Sequence, residues 1–297
     1  MDNLCHTLVG AALAEAGLKR RTPRAYAALL IGANLPDLDA VAMFTGNALG
    51  FRRGITHGLP ALVLLPLVLT GLMVLWDRWR PGRDGPVIPA RLLSVAALAI
   101  ATHPVLDWLN TYGMRWLMPF DGRWFYGDTL FIVDPWLWLT LGGGVLVARL
   151  RDRAGAARAA LVLSVAYIGG MLGLTQVGRR VAARELGLEA PGPRTLMVGP
   201  LFRDAWRREV VVDAGDRYRF GEIEWLPAPR LRMTGREQMK TEAGLRLEDL
   251  ELDQSARAFL DWARFPYLVR EGDQVRVDDA RYARGGPSWA GVVVRER

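Results

Sequence analysis

Long apolar runs alternate with short arginine-rich turns over the first two thirds of the chain, after which brief stretches mix apolar and charged residues one by one. Over 59–76 the sequence reads LPALVLLPLVLTGLMVLW without a charge, close to the roughly 20 apolar residues that cross a bilayer core. Further apolar runs predict helices over 91–109, 135–150 and 159–177. Four such runs in close succession present more apolar surface than a soluble core can cover. Upstream, 4–18 and 24–35 read as an apolar helical hairpin about the turn LKRRTPR. Each arm is too short to cross a bilayer alone, so the pair is expected to lie partly embedded against the other helices. From about Arg184 the runs EVVVD, YRFGEIEW, DQVRV and WAGVVVRE, separated by Gly, Asp and Pro, predict strands and hairpins, with one helix near 249–263. The fold class is therefore mainly α: a polytopic helical membrane domain over 1–183, followed by a small water-exposed, mainly β domain over 184–297.

Charge orients this arrangement. The loop 77–91 carries Arg78, Arg80, Arg83 and Arg91, the loop 149–158 carries Arg149, Arg151, Arg153 and Arg158, and the hairpin turn carries Lys19, Arg20, Arg21 and Arg24. Short cytoplasmic loops hold the excess of positive charge, so all three belong inside and the C-terminal domain outside the cytoplasm. Arg179 and Arg180, at the outer end of 159–177, run against this assignment. Composition sharpens the picture further. At 51% hydrophobic the chain excludes disorder, and its single Cys5 excludes a disulfide framework and a thiolate zinc finger. The net charge of +7 would raise nucleic acid as a partner, but much of it lies in the orienting loops, so none is expected. Asp2, His6 and Glu15 interrupt the first apolar stretch, which does not read as a cleavable signal peptide.

The three histidines all fall in the membrane part. His6 opens the first arm, Asp37 and Asp39 follow Pro36 at the end of the second, and His57 stands at the mouth of 59–76. His103 and Asp107 are four residues apart, on one face of the next helix. Pro104 between them is expected to start or kink that helix. With the loop orientation above, these positions converge on one membrane face. Ionisable groups at membrane depth are costly and default to function. Imidazole nitrogens and carboxylate oxygens suit one or two divalent ions, zinc first, with manganese or iron as alternatives. Arg52 and Arg53 could clamp a phosphate or anchor at headgroups. Asp37, where it is not a ligand, could orient a histidine or accept a proton from water. Cys5 reads as packing, and Gly142, Gly143 and Gly144 as close helix contact.

The segments HTLVGAALA, NLPDLD, RGITHG and HPVLDWLNTYG resemble the bacterial inner-membrane, metal-dependent hydrolases of the YdjM type, over residues 1 to about 135 and more loosely at RFPY and DARY. A more distant likeness, in the order of the ligands, is to zinc-dependent phospholipase C and P1 nuclease. That likeness implies a first ion held by Asp39 (or Asp37), His57, His103 and Asp107, and a second begun by His6 with a bridging Asp107. With no fourth histidine, two ions are the ceiling, and Asp121, Asp128 and Asp134 are candidate extra oxygen ligands. The expected function is a membrane-bound, metal-dependent phosphoesterase acting through an activated water. Its outward site at lipid depth suggests a phospholipid or a polyprenyl-linked phosphate as substrate. The alternative is a non-catalytic or transport-type membrane protein with a structural or transient metal site. The sequence leaves the oligomeric state open.

Overall fold

The apolar runs become helices α1 (Asn3–Glu15), α2 (Ala25–Asn34), α4 (Ala61–Trp79), α5 (Pro89–Trp108), α6 (Pro135–Leu150) and α7 (Ala154–Glu185), with a short α3 at Ala48–Phe51. This computed structural model describes the chain except Gly46, Arg83, Ala243, residues 284–289 and the side chain of Thr45. Arg83 of the 77–91 loop and Trp289 of the last strand run thus lie outside the described residues.

The structure changes two lengths. The second arm does not stop at residue 35 but continues as a 3-10 segment, Leu35–Thr45, so that Ala25–Phe44 reaches 20 residues. Proline has no N–H to give, and at the junction the Leu35 N–H bonds Gly32 O in the tighter i to i+3 pattern. In contrast, α6 has 16 residues and is short of the spanning length. Among the described residues, four helices are long and apolar enough to cross a membrane: Ala25–Phe44, Ala61–Trp79, Pro89–Trp108 and Ala154–Glu185. α5 is helical on both sides of Pro104, so no helix starts there.

Two compact units emerge, one of Met1–Asp39 with Arg53–Leu172, the other of Ala40–Arg52 with Gly173–Arg297. In the first, small residues bring helix backbones together, as they must where lipid supplies no hydrophobic drive between helices. Ala14, Ala25, Leu29, Val95 and Ala99 form one buried cluster joining α1, α2 and α5. A Cβ on Gly32 would lie 3.1 Å from Ala99 Cβ and 3.3 Å from Leu69 Cδ2, which shows how tightly α2 presses on its neighbours. Gly144 serves α6 against α7 in the same way, where a Cβ would meet Ala156 O at 3.2 Å. Cys5 packs with Leu106, Leu137 and Leu141. The apolar side chains left exposed on α4, among them Val63, Leu64, Leu67, Val68 and Leu72, form the surface a bilayer would cover.

In the second unit, β1 (Leu196–Leu201), β2 (Asp204–Asp213), β3 (Arg217–Glu224) and β4 (Arg230–Met239) form an antiparallel meander. Strand alternation covers both of its faces. Val198, Val210, Val212 and Ile223 pack on Val181 and Ala182 of α7, while Met197, Val211, Tyr218 and Phe220 pack on Phe265 and Tyr267. A second antiparallel sheet has the order β5 (Leu250–Glu251), β8 (Gly291–Glu296), β7 (Gln274–Asp279), β6 (Pro266–Glu271). Helix α8 (Gln254–Trp262) completes the unit, and α3 packs against it. The RFPY and DARY segments meet inside it: Arg264 N donates to Asp279 Oδ2 at 2.8 Å and Ala280 N to Phe265 O at 2.9 Å. Arg281 pairs with Asp279 and lies 4.6 Å over the Trp262 ring. These motifs hold the domain together.

Candidate metal centre

Four donor atoms from three separate stretches of chain converge in the first unit. Asp37, His57, His103 and Asp107 each offer one ligand atom, all within 4.8 Å of one another. His57 and His103 are fully buried and Asp107 nearly so. The Nε2 atoms of His57 and His103 are 3.2 Å apart. Asp107 Oδ2 lies 3.4 Å from the first and 3.5 Å from the second, and Asp37 Oδ1 lies 3.9 and 3.8 Å from them. Four ligands at zinc bond lengths of about 2.0–2.1 Å form a tetrahedron with edges of about 3.3–3.4 Å. The three edges among His57, His103 and Asp107 are close to that figure, and the two from Asp37 to the histidines, at 3.9 and 3.8 Å, make it the looser corner.

The local sequence explains why both imidazoles turn Nε2 inward. Pro36 cannot donate to the carbonyl three residues back, so Ala33 O remains available and takes His103 Nδ1 at 2.7 Å. With its proton on Nδ1, His103 presents a bare Nε2 to the centre. His57 is oriented from behind in the same manner, its Nδ1 lying 3.3 Å from Asp39 Oδ2 and 3.0 Å from Thr56 Oγ1. Two imidazole lone pairs and two carboxylates facing one another repel unless a cation sits among them. The donor set therefore fits a divalent ion on its own chemistry.

The remaining expected residues stand behind these four. Asp39 also accepts from Arg53 N at 2.6 Å, fixing the loop that carries His57. His6 stacks on His103 with ring centroids 3.7 Å apart and faces Asp107 Oδ1 from 3.3 Å. Arg53 is buried, and its guanidinium donates to Asp107 Oδ1 at 3.0 Å, Asn110 Oδ1 at 3.1 Å and Gly113 O at 2.9 Å. It reaches inward because its backbone is left-handed, with φ 50°. The Met1 amino group also contacts Asp107 Oδ1. Asp107 thus gives Oδ2 to the centre and Oδ1 to cations.

Asp121, Asp128 and Asp134 fall outside the four-donor group. Asp134 caps α6, accepting from Trp136 N and Leu137 N, and takes Tyr167 Oη at 3.0 Å. The backbone N–H and then the guanidinium of Arg123 hold the Asp121 carboxyl below its usual value. Asn110, Thr56 and the Ala33 carbonyl are contributors that the sequence reading misses. The Asn-Thr-Tyr-Gly turn after Asp107 is the one signal that could have found the first, since Asn110 Oδ1 caps Tyr112 N and Gly113 N at 2.9 and 3.3 Å.

Because Asp39 acts through His57, Asp39→Asn is expected to weaken divalent-metal affinity about 10–100-fold without removing a donor. Titration against a competing chelator reads this out, and wild-type affinity in the variant would refute the role.

Comparison with known proteins places these residues in context. A family model described as YdjM inner membrane protein matches residues 1–177, a stretch that contains every donor above. The chain is also similar to "Uncharacterized protein YfhP" of Bacillus subtilis (strain 168), 28% identical over 115 residues, which is 38% of this chain and 33% of that protein. The chain therefore matches about a third of the length of this relative. No solved structure matches.

Proposed function

The chain belongs to the YdjM inner membrane protein family, and from that premise we propose that it is a membrane-embedded, metal-dependent phosphoesterase acting on a lipid-like substrate. Its family and its four apolar helices fit a multi-pass inner membrane protein with a group of two Asp and two His able to hold a metal. The observation that carries the proposal is the pair of Nε2 atoms 3.2 Å apart, closed in by two carboxylates at apolar depth. Zinc suits this donor set best, with manganese and iron as alternatives. When bound, the ion supplies Lewis acidity, which lowers the pKa of water and neutralises charge on a phosphoryl oxygen.

The protein's own residues divide the remaining work. His57, His103 and Asp107 would hold the ion from buried positions. Asp37, the looser corner and the one donor of the four that is not fully enclosed, is placed to take a proton from an entering water. Arg53 is committed to Asp107 and Asn110, which favours a positioning role over a phosphate clamp. One ion suits the geometry better than two, because a second cation on Asp107 Oδ1 would meet the Arg53 guanidinium 3.0 Å from that oxygen. A site at lipid depth favours a phospholipid or polyprenyl-linked phosphate.

From the arginine-rich loops we infer that the site and the C-terminal domain lie outside the cytoplasm, a topology that requires the 16-residue α6 to cross as well, as a short helix in a locally thinned bilayer. Reporter fusions after Trp79 and after Arg297 are expected to lie on opposite sides of the membrane, and a shared side would overturn this topology. The activity itself is tested with purified protein, its metal content measured and then assayed on phospholipid, polyprenyl phosphate and soluble phosphoester panels. Release of phosphate or headgroup that stops with chelator and returns with metal is the expected result. A bound ion with no turnover on any panel would instead favour the structural-site reading.

A further inference from the structure

The C-terminal β domain has an apolar end that the metal site does not explain. The β1–β2 turn carries Phe202 and Arg203, and the first turn of β2 carries Trp206, which is 70% exposed. The neighbouring β3–β4 connection carries Leu226, at 84% one of the most exposed large apolar side chains in the chain. In an antiparallel meander these two connections lie at one end of the sheet. They touch: Trp225 Nε1 donates to Trp206 O at 2.5 Å. Exposed Trp, Phe and Leu side by side on two hairpin ends demand an explanation in a water-facing domain.

Helix α7 supplies one. Its apolar run over 159–177 ends at Gly178, beyond which Arg179, Arg180 and Arg184 follow. That change marks the level at which the helix leaves hydrocarbon for headgroups. A Cβ on Gly178 would meet Val198 Cγ1 at 3.1 Å, Ile223 Cγ1 at 3.2 Å and the Trp225 ring at 3.7 Å. The sheet is therefore packed against α7 at the exit level itself, with the connection that holds Trp225 and Leu226 beside it. Arg203 and Arg207 flank the apolar side chains, the pairing of aromatic and basic residues that interfacial segments use. The neighbouring charges nearly cancel, Arg207 with Asp204 and Arg230 and Arg232 with Glu224. Apolar insertion, more than charge, is then the driving term.

We propose that the hairpin ends bearing Phe202, Trp206 and Leu226 seat in the headgroup layer of the bilayer that α7 crosses, and so anchor the C-terminal domain at the membrane surface. The test uses the full chain in vesicles of phosphatidylethanolamine and phosphatidylglycerol, with Trp206→Cys or Leu226→Cys labelled by an environment-sensitive dye. Glu248→Cys, exposed elsewhere in the same domain, is the reference; Cys5 is buried and does not compete for label. Lipids carrying a shallow nitroxide are expected to quench the dye at 206 and 226 by at least half and to leave 248 nearly untouched. Quenching at 206 and 226 no greater than at 248 would overturn the proposal, as would equal strong quenching at all three. Because quencher is present in both leaflets, the result does not depend on insertion direction, nor on whether the protein is a hydrolase.

Discussion

His57→Ala and Asp107→Ala are each expected to leave the protein without a bound divalent ion, from about one per chain to below about a tenth after dialysis, with loss of any metal-dependent turnover. Each removes a donor whose position cannot be refilled. His57 Nε2 is the shared end of the 3.2, 3.4 and 3.9 Å edges, and the buried surroundings leave little room for water to replace it. A substitution behind a donor typically costs about 10–100-fold in affinity, so loss of the donor itself should cost more than roughly 100-fold. The measurement is elemental analysis of protein purified in parallel with wild type. His57→Ala that keeps a full ion would remove the four-donor centre from consideration. Asp134→Ala is the control: it should lower stability through loss of the α6 cap and leave metal content unchanged.

Much of this centre is legible in the sequence because charge is so costly at membrane depth. Three histidines within apolar segments, and an aspartate four residues after one of them, have few structural uses there. The choice between Asp37 and Asp39 is not legible, and the reason is the 3-10 segment. At three residues per turn, positions i and i+2 point about 120° apart. The two carboxylates cannot share a target, so Asp37 turns to the Nε2 atoms and Asp39 to His57 Nδ1. Local composition gives no sign of that turn type beyond Pro36. The same segment lengthens α2 into a span, which hydropathy over the second arm, 24–35, alone underestimates. The inward course of Arg53 is equally hidden, since a left-handed arginine cannot be read from RRG. Helix positions and the change to strands after α7 follow from periodicity and come out close to expectation.

Arg53→Met carries the second large effect, because it separates what the arginine does for folding from what it does for the ion. In the metal-free protein, Asp107 is a buried carboxylate whose Oδ1 is met by the Arg53 guanidinium at 3.0 Å. Removing one partner of a buried pair costs up to about 3–5 kcal/mol, here the lower part of that range, because the Met1 amino group and His6 still face the same carboxylate. A thermal midpoint lower by on the order of 10 °C is the expected consequence for the chelated protein. The effect on the metal has the opposite electrostatic sign. Charges about 4 Å apart interact by roughly 4 kcal/mol at an effective dielectric of 20, and Arg53 repels any cation held on the other oxygen of the same carboxylate. Its loss therefore makes Asp107 a stronger ligand even as the fold weakens. Added zinc should then raise the midpoint of Arg53→Met by more than it raises that of wild type, recovering part of the deficit. Equal shifts in the two proteins would show that Arg53 and the ion do not compete through Asp107. A variant as stable as wild type after chelation would show that the pair contributes nothing to the fold. Arg53→Lys keeps the charge but not the fork that spans Asp107, Asn110 and Gly113, and should fall between the two.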